Sequence, residues 1–312
     1  ETDYGVGQEY SWSRLWDLVV DASHGLLALG IDHGDVVSIH SEDRPEWVIL
    51  DLATGAIRGI TTGLYPTNPM AEVQYLVNDS GAKLHLAEDQ EQVDKMLDAG
   101  SDAFPTVGKI LYVEPRGVRG YDDDRLMFWD DFMEIGRQHR AAHPGEVERR
   151  MAEAAPDDVI TLVYTSGTTG PPKGAMLTNA NSRFAIDNIV LNGERIRGGA
   201  PGPHDLILTY LPLCHVAERI FSTWHMAGAG TVLNFAESIE TVQVNLREIQ
   251  PTLFFAVPRI WEKIHATALI KLQDATRIKR LFGGIGMWLA NRVGKERVAN
   301  GGNHTTMSRM AY

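Results

Sequence analysis

Between Ser13 and Val113, short β-branched runs alternate with segments whose apolar residues recur at helical spacing, and only brief turns separate them. Leu15, Leu18, Val19, Ala22, Leu26 and Leu29 form one helical face, which Gly30 closes. Residues 35–40 follow as a strand. Pro45 opens a helix carrying Trp47, Val48, Leu52, Ala53 and Ile57, and residues 60–65 make the next strand. Helix 70–78, strand 83–87, helix 89–98 and strand 109–113 continue the series. Strands that alternate with helices pair in parallel, because each helix is the crossover that a parallel neighbour needs. The predicted fold class is α/β, with mostly parallel sheets and helices on both faces.

The later chain keeps the theme less regularly. Residues 116–125, with Asp122, Asp123 and Asp124, read as a solvated loop, and the Gly/Pro-rich 198–203 as another. Helices are expected at 129–142, 145–153, 179–192, 215–227 and 239–249, strands at 206–211, 231–235 and 252–257, and a long helical tract from Pro258. A hydrophobic content of 44% suits a packed core, and a net charge of −12 argues against a nucleic-acid binder. Cys214 stands alone, so no internal disulfide forms. No window approaches the 18 apolar residues of a membrane span, and no signal peptide precedes Tyr4. A cytoplasmic protein is expected. From Lys271 to Arg297 the basic residues Lys271, Arg277, Lys279, Arg280, Arg292, Lys295 and Arg297 interleave with Leu281, Phe282, Ile285, Trp288 and Leu289. A packed helix with a solvated basic face is the favoured reading, and peripheral contact with an anionic membrane through 271–297 is the alternative. His139 and His143 have metal-ligand spacing. Arg140 stands where a zinc protease motif has glutamate, so no metal site is expected there.

The densest chemistry lies in Tyr-Thr-Ser-Gly-Thr-Thr-Gly-Pro-Pro-Lys-Gly, residues 164–174, behind the apolar strand 159–164. Glycines let backbone N–H groups converge without a Cβ in the way, hydroxyls add donors, and Lys173 adds a mobile positive charge. These are the parts that surround a polyanion such as a nucleotide's phosphates, although a surface turn has a similar composition. The loop is not a Walker A loop. Pro171 and Pro172 occupy the place of its Gly-Lys-Ser/Thr and offer no N–H. The next helix is expected after Thr178 as N-cap, so a flap rather than a helix dipole would hold the phosphates. A second informative stretch is Tyr210–Arg219, where Cys214, His215, Glu218 and Arg219 follow a strand end. His215 suits a hydrogen bond to a substrate carboxylate or a structural role. Cys214 lacks a base partner and reads as packing.

The string Tyr164–Gly174 resembles the phosphate-binding signature of the acyl-adenylate-forming, AMP-binding superfamily. Leu-Pro-Leu-Cys-His-Val-Ala-Glu-Arg (211–219) together with Phe-Phe-Ala-Val-Pro-Arg-Ile-Trp-Glu-Lys-Ile (254–264) is similar to its long-chain fatty-acyl-CoA synthetase branch. The resemblance runs from the first helix through Lys263. It implies a ligase acting on a fatty acid, ATP and coenzyme A with Mg²⁺. Thr165, Ser166, Gly167, Thr168, Thr169, Gly170 and Lys173 would embrace the β- and γ-phosphates, with Thr168 also placing the metal. Lys173 and His215 would be the catalytic residues, His215 beside the acyl group. Glu218 and Arg219 are assigned an internal salt bridge. Arg259 and Trp261 border the acyl tunnel or, equally for Trp261, pack in a core. The superfamily's later Tyr-Gly-x-Thr-Glu motif, ribose-binding aspartate, hinge and C-terminal lysine do not occur in the sequence. Residues 1–312 are therefore expected to be a truncated N-terminal AMP-binding domain, inactive alone. The alternatives are another acyl- or aryl-adenylating ligase and a non-catalytic nucleotide- or lipid-binding protein.

Overall fold

A computed structural model describes residues 7–165, 170–197 and 199–299. The chain forms two units, one of residues 1–191 and 201–252, the other of residues 192–200 and 253–312.

Up to Val113 the first unit carries the expected alternation, its element ends shifted by a residue or two; later, the helix expected at 179–192 runs on to Arg197 and the one expected from 239 starts at Val242. Helix α1 (Trp12–Ala28) starts at Ser11, whose hydroxyl accepts from Arg14 N at 3.2 Å, and stops before Gly30, which adopts φ +79. There follow β1 (Val36–His40), α2 (Pro45–Ala56), β2 (Ile60–Leu64), α3 (Met70–Ser80), β3 (Ala82–Ala87), α4 (Gln90–Leu97) and β4 (Lys109–Tyr112). Asp89 caps α4 by accepting from Gln92 N at 3.2 Å. β5 (Leu126–Phe128), α5 (Trp129–Ala142), α6 (Glu146–Ala152), β6 (Val159–Thr165), β7 (Lys173–Thr178) and α7 (Asn179–Arg197) complete the first sheet and its cover. The strand order is β5-β4-β3-β1-β2-β6-β7, parallel throughout except for the antiparallel pair β6/β7.

Strand side chains alternate between two cores. Val37, Ile39, Leu84 and Leu86 face α1, α2 and α5 with Leu26, Trp47, Leu50 and Phe132. Val36, Leu64 and Ala82 face α3 and α4 with Val73, Leu76, Val77 and Met96. Crossovers that fall on opposite faces on either side of β1 make the sheet doubly wound, and ligands of such sheets sit outside the carboxyl ends of the strands. Helices α1 and α5 touch closely at Gly136, where an added Cβ would lie 2.0 Å from the Asp21 carbonyl oxygen. A smaller parallel sheet pairs β8 (Leu206–Thr209) with β9 (Val232–Phe235). Leu213 and Met226, from the connection between these two strands, pack into the same core as Trp47.

Several expectations are corrected. β5 closes one edge from residues 126–128, which the sequence pattern leaves unassigned between the loop 116–125 and the helix at 129, since three residues are too few to show a period. Lys173 and Gly174 are not loop residues but begin β7, where pairing with β6 overrides the Gly/Pro composition. Helix 215–227 is broken into α8 (Val216–Arg219), a π-helical turn (Ile220–Trp224) and α9 (His225–Ala229). Helix α10 (Val242–Ile249) is present, but 252–257 is not a strand. In the second unit the long helical tract is two helices, α11 (Pro258–Gln273) and α12 (Arg277–Ala299). They approach closely where Gly283 faces Leu272.

Two histidines are enclosed within the first sheet. His40 and His85 are fully buried, with ring centroids 5.8 Å apart. Ser38 Oγ lies 2.8 Å from His85 Nδ1, and His40 Nε2 lies 3.1 Å from the Tyr65 carbonyl oxygen. Burial first, and then the charge of Lys95, lowers His40 to about 4, and burial likewise holds His85 well below the ordinary imidazole range. An unfolded imidazole takes up its proton near pH ~6.5, so below that pH the unfolded chain binds more protons than the native one. Stability is therefore intact above pH ~6.5 and falls as the pH drops toward ~4, by about 3 kcal/mol from His40. Urea unfolding across that window is expected to show the loss in the native sequence and a flatter dependence in His40→Gln. Parallel pH curves for the two proteins would refute it.

Candidate active site

The candidate phosphate loop joins β6 to β7. Thr165 pairs with Lys173 and Tyr164 with Gly174, so the ends of the loop are fixed by the antiparallel ladder at the sheet edge. Gly170 adopts φ +90, a conformation that would strain any residue with a Cβ. The four positions Ser166, Gly167, Thr168 and Thr169 lie outside the described residues. Lys173 is exposed, and among the described residues no carboxylate lies within ion-pair distance of it. Its charge is thus available to an anionic ligand. Thr178 caps α7 as expected, its hydroxyl accepting from Asn181 N at 3.3 Å.

Helix α3 braces this hairpin from one side. Tyr164 Oη donates to Asp79 Oδ2 at 2.7 Å, and Tyr75 Oη donates to the Pro172 carbonyl oxygen at 2.9 Å. Tyr75 and Asp79 are one helical turn apart, so a single face of α3 reaches both ends of the loop. The Tyr164 ring lies under Gly174, where a Cβ would come within 3.2 Å of it. A surface groove of about 510 Å³ runs along the same helix, lined by Ala71, Gln74, Tyr75, Asn78 and Asp79. Sequence reasoning missed Tyr75 and Asp79. Their helical period showed which face of α3 is buried, but not that its outer face meets residues about a hundred positions later.

The second candidate segment follows β8. His215 is the N-cap of α8, and its Nδ1 accepts from Ala217 N at 3.1 Å. An accepting Nδ1 carries no proton, so a neutral His215 holds its proton on Nε2 and offers an N–H donor at the exposed edge of the ring. The structural and ligand-facing readings of His215 are therefore compatible, with one ring nitrogen serving each. Cys214 is packing, as expected. It is buried against Gly63, where an added Cβ would lie 2.7 Å from the Cys214 Cβ, and burial raises its thiol well above the ordinary range.

The salt bridge assigned to Glu218 and Arg219 is corrected. Both are buried, but they do not pair with each other. Arg219 Nη2 donates to Asp51 Oδ1 of α2 at 2.5 Å, Nη1 donates to Thr161 Oγ1 of β6 at 2.5 Å, and the guanidinium lies 5.4 Å and 5.6 Å from the ring centroids of Trp47 and Trp224. Glu218 accepts from the Thr209 hydroxyl instead. Adjacent helical residues point in different directions, which is why i,i+1 neighbours rarely bond each other. Through Arg219, the helix behind His215 is anchored to the strand that leads into the phosphate loop.

In the second unit, Trp261 is 51% exposed, its Nε1 donating to the Ala256 carbonyl oxygen at 3.2 Å and its ring edge-on to Phe254. Arg259 is exposed. The core-packing reading of Trp261 does not hold within this chain. Among the described residues no group of three or more His, Cys, Asp or Glu side chains is arranged to hold a metal ion. His139 and His143 stack with ring centroids 4.1 Å apart, and His139 Nδ1 lies 2.9 Å from His24 Nδ1, a contact between rings. No helix is long and apolar enough to cross a membrane among the described residues.

Comparison with known proteins agrees with this arrangement. The family model described as AMP-binding enzyme matches residues 2–306. The long-chain-fatty-acid–CoA ligase ACSBG2 of Rattus norvegicus is 29% identical over 274 residues, covering 86% of this chain and 40% of its own length. The long-chain-fatty-acid–CoA ligase FadD15 of Mycobacterium bovis is 31% identical over 271 residues, covering 85% and 41%. The chain thus spans about two-fifths of the curated relatives it matches. Among solved structures, ATP-bound MatB from Rhodopseudomonas palustris superposes with a TM-score of 0.65 at 20% identity, over 83% of this chain and 46% of that one. A match to nearly the whole chain, on a fold and motifs of the same kind, establishes that it belongs to the AMP-binding enzyme family.

Proposed function

We propose that this chain supplies the triphosphate-holding and acyl-facing parts of an ATP-dependent ligase that converts a long-chain fatty acid to acyl-adenylate and then to acyl-CoA. The carrying observation is the β6–β7 hairpin, which sets a glycine- and hydroxyl-rich loop and the exposed Lys173 at the carboxyl end of a doubly wound sheet. Family membership supports adenylate-forming chemistry, and the named activities of ACSBG2 and FadD15 support a long-chain acid.

In the first step a carboxylate oxygen bonds to the α-phosphorus of ATP, and the bond to the departing pyrophosphate breaks. In the second, the sulfur of coenzyme A bonds to the acyl carbon, the bond to AMP breaks, and the thiol proton is released. The chain's part is positioning and charge neutralisation. Thr165, Ser166, Gly167, Thr168, Thr169 and Gly170 donate to phosphate oxygens, Lys173 balances their charge, and His215 directs Nε2–H toward the carboxylate. The residues suit a metal carried in by the nucleotide better than a resident one, since no carboxylate cluster awaits it among the described residues. Bound Mg²⁺ would draw charge from the phosphates, with Thr168 as its ligand from this chain. The site is proposed to work in the cytoplasm. Titration of the chain with Mg·ATP, read by calorimetry, is expected to show binding that Lys173→Ala weakens at least tenfold. Equal affinity in both would sink the assignment of Lys173.

Peripheral membrane contact through 271–297 is a subsidiary proposal, supported by the exposure of Ile278, Leu281, Phe282, Ile285 and Trp288 among cations on α12. The chain is expected to sediment with anionic vesicles and not with neutral ones, and absence from both pellets would end that proposal.

A further inference from the structure

We propose that Asp43 and Glu218 keep one proton between them through the Thr209 hydroxyl, and that this shared proton holds in place the turn that presents His215. Asp43 lies in the connection after β1, Thr209 ends β8, and Glu218 lies in α8. Thr209 Oγ1 is in hydrogen-bond contact with Glu218 Oε1 and 3.4 Å from Asp43 Oδ2. A hydroxyl has one proton to donate and can therefore satisfy only one of two ionised carboxylates. The other contact is favourable only if the second carboxyl carries a proton and donates it to the hydroxyl oxygen.

One backbone N–H reaches each carboxyl, Leu213 for Asp43 and Tyr210 for Glu218, and among the described residues no cation joins them. Glu218 and Glu42 face Asp43, as does the Cys214 thiol, and Glu88 and Glu240 add negative charge around Glu42. The neighbouring cations are committed elsewhere: Arg44 bonds to Glu46 and Glu88, and Arg219 bonds to Asp51. Burial accordingly raises Glu218 to about 7 and Asp43 well above the carboxylate range. Two like charges sharing one site titrate as a pair, so the proton belongs to the pair.

This pair is tied to the candidate active site by its remaining oxygen. Asp43 Oδ1 accepts from Leu213 N at 2.9 Å, and the His215 N–H closes the same turn on the Pro212 carbonyl oxygen at 2.9 Å. Loss of the shared proton sets two buried negative charges against each other across Thr209. Asp43 then shifts, and with it Leu213 and His215. Asp43 and Glu218 are thus positioning residues. The use of His215 toward a carboxylate rests on the ligase reading, whereas the shared proton does not, and the experiment reads the proton without any substrate.

The test is infrared and NMR titration of the chain as it stands. Near pH ~6 the spectrum is expected to contain a protonated-carboxyl carbonyl band that disappears as the pH passes ~7, with the Leu213 and His215 backbone amide resonances moving in the same step. Glu218→Gln is expected to abolish both the band and the step while leaving those amides at their low-pH positions. Thr209→Ser is expected to restore the native behaviour that Thr209→Val loses. A native chain with no such band near pH ~6 overturns the proposal, as does an amide step that survives unchanged in Glu218→Gln; the first of these readings needs no variant to fold.

Discussion

Arg219→Ala is expected to lower the unfolding free energy by roughly 3–5 kcal/mol, the loss typical when one partner of a buried ion pair is removed. Arg219 is 3% exposed, and its guanidinium joins Asp51 of α2, Thr161 of β6 and the rings of Trp47 and Trp224. Removing it leaves the Asp51 carboxylate, 6% exposed, without its cation and opens a gap between two tryptophans. Lysine does not replace it, because a single ammonium cannot bond two separate acceptors with the fixed fork of a guanidinium or stack flat on an indole. Replacing both charged partners together, as in Arg219→Met with Asp51→Leu, is expected to recover a large part of the loss. Urea unfolding of the three proteins measures this directly. A loss below about 1 kcal/mol for Arg219→Ala would mean that the buried pair is not what anchors α8.

In the parent enzyme that the ligase reading implies, Lys173→Ala is expected to reduce kcat/KM for ATP by about 10²–10³, as does removal of a preorganised group that meets developing charge. Thr168→Ala is expected to act in the same direction through loss of a hydroxyl donor and a metal ligand. Lys173 begins a strand whose first pairing fixes where its side chain departs, while no carboxylate competes for it among the described residues. ATP–pyrophosphate exchange with a long-chain fatty acid, at limiting nucleotide, is the measurement. Undiminished exchange in the doubly substituted enzyme would remove the phosphate loop from the mechanism and the ligase assignment with it.

The alternation of strands and helices up to Val113 was legible because each element there is long enough to display a period and is flanked by a cap or stop, as with Ser11, Gly30, Pro45 and Asp89. The candidate loop stood out for a different reason: its glycines, hydroxyls and lysine are contiguous. Short or cooperative elements were not. β5 has three residues, and β7 opens on lysine and glycine straight after two prolines, a start that becomes a strand only because β6 offers it an antiparallel partner.

Sequence by itself determined the fold class, the strand that leads into the candidate loop and the position of His215 beyond a strand end, since each is encoded by neighbouring residues whose propensities agree. Only the tertiary structure decided the partners. Arg219 meets Asp51 rather than Glu218, Asp43 and Glu218 meet across Thr209, and Tyr75 and Asp79 reach the two ends of the loop. These contacts join residues separated by 9 to 168 positions, most of them by far more than one element. Which buried charge finds which partner depends on where separate elements pack, and no local pattern along the chain carries that information.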